Sequence, residues 1–227
     1  MSVKPILFNT EMVRAILDGR KKLTRRIVKI PNYINQQDDG LYTLFAEGTC
    51  YENQHFEEIV QYLKKPYQPG DILYVRETWG HPISLNSDKQ YVFRADKIAE
   101  NGFKNDSHIW YPSIHMPKEA ARIWLKVTDV RVERLQDIDE DGVWNEGFRF
   151  TPPCLTRVSA DGHTCELDGP CMSSIKYCDM TMGELFGREL WNNTIKKSDL
   201  DRYGWDANPW VWVVEFERCE KPEDNQN

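Results

Sequence analysis

The chain has 227 residues, a formal net charge of −7 at pH 7 and 40% hydrophobic residues. That length suits one large domain or two small ones, and that apolar content supplies a core, which excludes a disordered chain. The acidic balance excludes a uniformly basic surface of the kind that coats duplex DNA, yet it leaves room for a local basic pocket.

"PILFNTEMVRAILDG" reads as a short strand and then a helix. Thr10 is placed as N-cap, Met12, Val13, Ile16 and Leu17 share an apolar face, and Gly19 stands where a helix stops. The next stretch, "LDGRKKLTRRIVK", holds six basic residues around Thr24. Residues 31–65 are polar with aromatic islands and read as an irregular excursion. "PYQPGDILYVRETW" is a turn at Pro69-Gly70-Asp71 followed by a strand, and "QYVFRAD" is a second, short strand. "AARIWLKVTDVRVERL" is a long strand in which Ile123, Leu125 and Val127 alternate with Trp124, Lys126 and Thr128. "DIDEDGVWNEGF" opens with acids as a helix does, although Gly142 weakens it. Residues 149–180 read as a Gly-, Pro-, Ser- and Cys-rich insertion. "TMGELFGRELWNNTI" is a helix with Thr181 and Glu184 in capping-box positions, and "NPWVWVVEFERC" is the last strand. These elements predict a single α+β domain over residues 1–220, built on a small β-barrel, with a frayed tail at 221–227.

"MSVKPILFNT" lacks the apolar run of a secretory leader, and no segment approaches the roughly 20 apolar residues of a membrane span. The expectation is a cytoplasmic protein with no membrane partner and six reduced cysteines.

Three residue types in the basic stretch can carry chemistry. Lys21 serves as a base if burial and neighbouring cations lower its pKa. Thr24 serves as a nucleophile if a base is near. Arg25 and Arg26 can hold phosphate or carboxylate. In a flat strand positions 21 and 24 face opposite ways, so they converge only if the chain bends after Gly19, whereas Thr24 and Arg26 share a face. The simpler reading of such a run is a solvated surface that complements a helix C-terminus. Glu77, Trp79 and His115, in "RETW" and "WYPSIHMP", are of the types that bind bases: a ring to stack, a carboxylate for an exocyclic amine, an imidazole for a carbonyl. A packed aromatic cluster is the competing reading. Cys154, His163, Cys165, Cys171 and Cys178 are a zinc candidate, but no C-x2-C knuckle is present and free thiols are the simpler reading. No cofactor is expected.

"GRKKLTRR" resembles the G-x-K-x-x-[ET]-x-R motif of the ASCH family, with Gly19, Lys21, Thr24 and Arg26 on its fixed positions. "QPGDILYVRETW" resembles the G-D-x-hydrophobic barrel strand that follows in that family, and "WYPSIHMPKEAARIWLKVTDVRVERLQDI" and "NPWVWVVEFER" resemble segments of the larger ASCH proteins of bacteriophages and prophages. The resemblance implies a PUA-like mixed β-barrel with flanking helices and insertions near 31–65 and 149–180, in a host cytoplasm if phage-encoded. It implies a partner among nucleosides, nucleotides or single-stranded RNA. A distant small branch consists of amidohydrolases that deacylate N4-acetylcytidine with a Lys, a Thr and a later Glu, which would be Lys21, Thr24 and Glu146 here. For Glu146 a plain helix-surface carboxylate competes with this role. The alternatives left open are a non-catalytic reader of RNA or modified nucleotides, and a phage morphogenesis or host-defence accessory protein.

Overall fold

The computed structural model describes residues 2–31, 33–46, 48–82, 90–96, 109–149 and 180–222. The cysteine-rich insertion, with its five candidate zinc ligands, and the end of the tail lie outside the described residues. Among the described residues, no helix is long and apolar enough to cross a membrane.

The chain opens with β1 (Val3–Leu7), α1 (Thr10–Leu17) and β2 (Leu23–Ile27). It continues through β3 (Ile34–Gln36), β4 (Tyr42–Ala46), β5 (Thr49–Gln54) and a single helical turn, α2 (Phe56–Ile59). Then come β6 (Ile72–Arg76), β7 (Trp79–Gly80), β8 (Val92–Phe93), β9 (Trp124–Arg134) and α3 (Glu140–Asn145). The described chain closes with α4 (Met182–Leu185), a π-helical segment (Phe186–Trp191), α5 (Asn192–Thr194), α6 (Leu200–Tyr203) and β10 (Trp210–Cys219). The fold is α+β. Its main sheet has the order β1-β6-β9-β10-β2, parallel between β1 and β6 and antiparallel elsewhere. The sheet's two edge strands meet where Arg26 of β2 donates from Nη2 to the Leu7 carbonyl of β1 at 2.9 Å.

Both faces of this sheet are covered, which is why "WVWVVEF" is almost continuously apolar. On one face Leu73, Val75, Leu125, Val127, Trp212 and Val214 pack with Val13 and Ile16 of α1. On the other, Leu23, Val211 and Val213 pack with Val143 of α3, Leu185 of α4 and Phe186 of the π segment. The pairing of β9 with β10 shifts register between Glu215 and Phe216. A bulge of this kind bends and twists a strand locally.

Two expectations are corrected. The N-cap of α1 is Asn9, whose Oδ1 accepts from the Met12 amide at 2.9 Å, and Thr10 is the first helical residue. Asn ranks above Thr as a cap, and one residue of slippage is the usual uncertainty at a helix end. The stretch 31–65 is not irregular: β3, β4 and β5 form an antiparallel sheet, and Ile34, Tyr42, Leu44, Phe56 and Ile59 join the main core. Its small sheet buries one face only, so its overall polarity hides a short apolar alternation.

Candidate active site

The basic stretch is fixed by two helix ends. Gly19 takes φ +73°, and the amides of Arg20 and Lys21 both donate to the Ala15 carbonyl, at 2.8 and 3.0 Å. The chain thus turns sharply off α1 just before Lys21. From the other side, α3 is capped by Asp139 and stopped by Gly147 at φ +79°. A Cβ at Gly147 would lie 2.6 Å from the Ala15 Cβ and 3.0 Å from that of Lys21, so only glycine lets α3 end here. Lys21 and Glu146 form a bridge between these ends, and the Lys22 amide donates to the Asn145 carbonyl at 2.7 Å.

This arrangement places the Glu146 side chain over Lys21. The Lys21 Nζ donates to Glu146 Oε2 at 2.5 Å and to the Glu146 carbonyl at 2.9 Å. The other carboxylate oxygen accepts from the Arg25 amide at 2.7 Å. Side-chain exposure is 0% for Lys21 and 3% for Glu146, so the pair is removed from water. Burial pushes the Lys21 pKa down, Glu146 pulls it back up, and Arg26 and Arg25 add repulsion; the balance lies below the ordinary lysine value. Below the amine, 5.5 Å from Nζ, is the Phe8 ring, and Arg26 sits 5.4 Å from the same ring.

Along β2 the residues divide by face as a strand dictates. Thr24 and Arg26 pair with Val214 and Trp212 and point to the same side as Phe8, while Arg25 points to the helix side. Thr24 is buried. Among the described residues, no hydrogen bond joins its hydroxyl to Lys21 or Glu146. The Arg25 guanidinium is held by Glu133, through Nη2 at 2.6 Å and Nε at 3.1 Å, and lies 3.5 Å from Glu146 Oε1. Gly142 makes room for it: a Cβ there would stand 3.0 Å from Arg25 Nη2. The glycine that weakens α3 as a helix is what lets an arginine pack against it.

The second group of candidates is arranged differently. Glu77 is buried and engaged bidentately by Arg122, at 2.8 and 3.0 Å, and Arg122 reaches Asp96 at 2.5 Å. Burial pushes the Glu77 pKa up against the pull of Arg122. Trp79 is buried among Tyr111, His81 and Tyr91, with ring centroids 5.0, 5.3 and 5.6 Å away, and among the described residues its Nε1 has no hydrogen-bond partner. His115 is exposed at the end of the turn Ser113–His115. The structure therefore joins Lys21 to Glu146, sets Thr24 beside Arg26, and commits Arg25 and Glu77 to internal ion pairs. Sequence reasoning missed Phe8, Glu133 and Arg122. It also missed Gly147, although a glycine directly after the last helical turn was a visible stop signal.

No family model matches this chain, and no curated protein matches it. Among solved structures it is similar to an ASCH domain from Lactobacillus crispatus JV V101. That similarity has 12% identity and a TM-score of 0.34, over 96% of this chain and 79% of that one.

Proposed function

We propose that this protein handles nucleotides or RNA and hydrolyses acyl groups from N4-acylated cytosine through Lys21, Thr24 and Glu146. The observation that carries the reading is the buried Lys21 amine, 2.5 Å from Glu146 Oε2 and depressed below the ordinary lysine pKa by desolvation. A buried lysine poised to lose its proton is what a hydroxyl nucleophile needs as its base. The motif resemblance of Gly19, Lys21, Thr24 and Arg26 supports the same assignment.

In this reading neutral Lys21 takes the Thr24 proton as Oγ bonds to the acyl carbon. The C–N4 bond then breaks, and Lys21 returns that proton to the departing cytosine amine. Water, deprotonated by Lys21, next attacks the Thr24 ester, releasing the carboxylic acid and restoring the hydroxyl. Glu146 is a positioning residue: its two oxygens and its carbonyl fix the amine and the Arg25 amide. Arg26, on the Thr24 face, supplies positive charge for the developing oxyanion. Catalytic hydrogen bonds tighten on substrate binding, and the buried Thr24 requires neighbouring side chains to yield to the acyl group.

The test is incubation with N4-acetylcytidine and related acyl cytosines, following the ultraviolet change on deacylation. Thr24→Ala is expected to lose on the order of 100-fold or more in kcat. Absence of wild-type turnover across the set, or wild-type rates in Thr24→Ala, overturns the mechanism.

A further inference from the structure

The Lys21–Glu146 pair is the inner end of a longer row of alternating charge. Glu146 meets Arg25, Arg25 meets Glu133, and Glu133 meets Arg131 at the surface. Arg25 lies on β2 and Glu133 on β9, with β10 between them, so the guanidinium spans the width of a strand to reach its carboxylate.

The Arg25 guanidinium is divided unequally between its two acids. Its Nη2 and Nε donate to Glu133 Oε1 at 2.6 and 3.1 Å, whereas its Nη1 lies 3.5 Å from Glu146 Oε1. A charge-assisted bond of this kind closes to about 2.7–2.9 Å, so the bond to Glu133 is formed and the contact with Glu146 is held long. Glu146 Oε1 takes the Arg25 amide instead, at 2.7 Å, and Oε2 takes the Lys21 amine at 2.5 Å. The Arg25 side chain is only 2% exposed, so it cannot turn to water. Glu133 is itself fixed from outside: Arg131 Nε lies 3.5 Å from its Oε2, and the same guanidinium bonds Asp129 and Glu215.

We infer that Glu133 is a positioning residue, which holds the Arg25 guanidinium off Glu146 and so keeps that carboxylate on the Lys21 amine. Its consequence for catalysis rests on the hydrolase reading, to which it adds a residue that acts only through another. Among the described residues, no hydrogen bond or ion pair joins Glu133 to Lys21 or Thr24. Without Glu133 the buried guanidinium has Glu146 to turn to, and two cations then compete for one carboxylate. Lys21 faces Glu146 at the end of α3, Arg25 and Arg26 of β2, and the Phe8 ring. Of the charged groups among these, Glu146 alone favours the protonated amine. Weakening that attraction lowers the Lys21 pKa further.

The test is the titration of Lys21 itself, followed by NMR of protein labelled with 13C at lysine Cε and assigned with Lys21→Met. The pH profile of kcat on N4-acetylcytidine is measured beside it, with thermal melts to establish that each variant is folded. Glu133→Gln keeps the size of the side chain and an acceptor for the guanidinium. It is expected to lower the Lys21 pKa by about 0.5–1 pH unit and to move the rise of kcat to lower pH by the same amount. Glu133→Asp, which keeps the charge but draws it back by one methylene, should give a smaller fall. In an Arg25→Met background there is no guanidinium to hold, so adding Glu133→Gln should move Lys21 by less than about 0.2 pH unit. An unshifted Lys21 in Glu133→Gln overturns the inference, even where the melt shows lost stability. So does an equal fall in the Arg25→Met background, which would make the effect that of a distant charge. The titration needs no turnover: an inactive wild type removes the hydrolase reading, while the Lys21 shift still decides what Glu133 does.

Discussion

Glu146→Gln tests the electrostatics of the site most directly. The substitution keeps the size of the side chain and retains an acceptor for the Arg25 amide. It removes the negative charge 2.5 Å from a lysine whose side chain is 0% exposed. Breaking one side of a buried ion pair leaves an uncompensated charge and costs about 3–5 kcal/mol. The remaining acceptor for Nζ, the Glu146 carbonyl at 2.9 Å, places the expected loss near the lower figure, about 3 kcal/mol. The sign of the pH effect follows from linkage. Glu146 is the main influence holding the Lys21 pKa up, so its removal lets burial and the two arginines depress it further. The unfolded chain keeps a pKa of about 10.4, so it binds more protons than the folded variant below that pH. The variant's stability therefore rises with pH, and its deficit against wild type shrinks once Lys21 is neutral in both folded proteins. Urea unfolding at pH 7 and pH 9.5 measures this. A deficit under about 0.5 kcal/mol at pH 7, typical of a surface pair, or a deficit that grows with pH, refutes the account.

The activity at Thr24 should follow the same group: kcat for acyl-cytosine hydrolysis is expected to rise with pH through a lysine pKa set below the ordinary value. A pH-rate profile without a basic limb from Lys21, unchanged in Glu146→Gln, contradicts it. Gly147→Ala combines a positive φ with a Cβ 2.6 Å from Ala15, so a loss of about 2–4 kcal/mol in urea unfolding is expected, against near neutrality if α3 could shift aside. Asp71 is buried, which by itself raises its pKa. Hydrogen bonds from Lys4, Ser2 and the Gln68 amide win and hold it well below the usual carboxylate range. Its stabilisation is present above the unfolded pKa of about 3.9 and lost as pH falls through the folded one. Asp71→Asn should thus cost about 2 kcal/mol at pH 7, and the gap to wild type should narrow below pH 4 in acid titrations.

How much of this was legible beforehand differs by element. The β10 segment, with its unbroken apolar run, and the alternating β9 segment were readable because a strand's period of two is a property of the local chain. The helix stop at Gly19 and the capping box of Thr181 and Glu184 were readable for the same reason, since both are satisfied within a few residues. The excursion at 31–65 was misread because its apolar residues are few, and only docking onto the main core gives Ile34, Tyr42 and Phe56 their purpose. Arg25 and Arg26 are adjacent and alike in sequence. One is spent on Glu133 and the other faces a cleft, because the pleat turns them to opposite sides of a sheet that is covered differently on each.

The sequence by itself determined the local events: where helices begin and stop, which residues alternate, and that basic charge gathers around Thr24 in an acidic chain. The resemblance of its motif to the ASCH family, and not any local pattern, implied Glu146 as the residue to look for beside Lys21. Tertiary structure alone decided that the α1 and α3 ends abut, that Lys21 is buried, and that Glu77 belongs to Arg122. Burial and pairing join Lys21 to Glu146, 125 positions further along the chain. Their energies come from the removal of water between distant segments, which no short window of sequence contains.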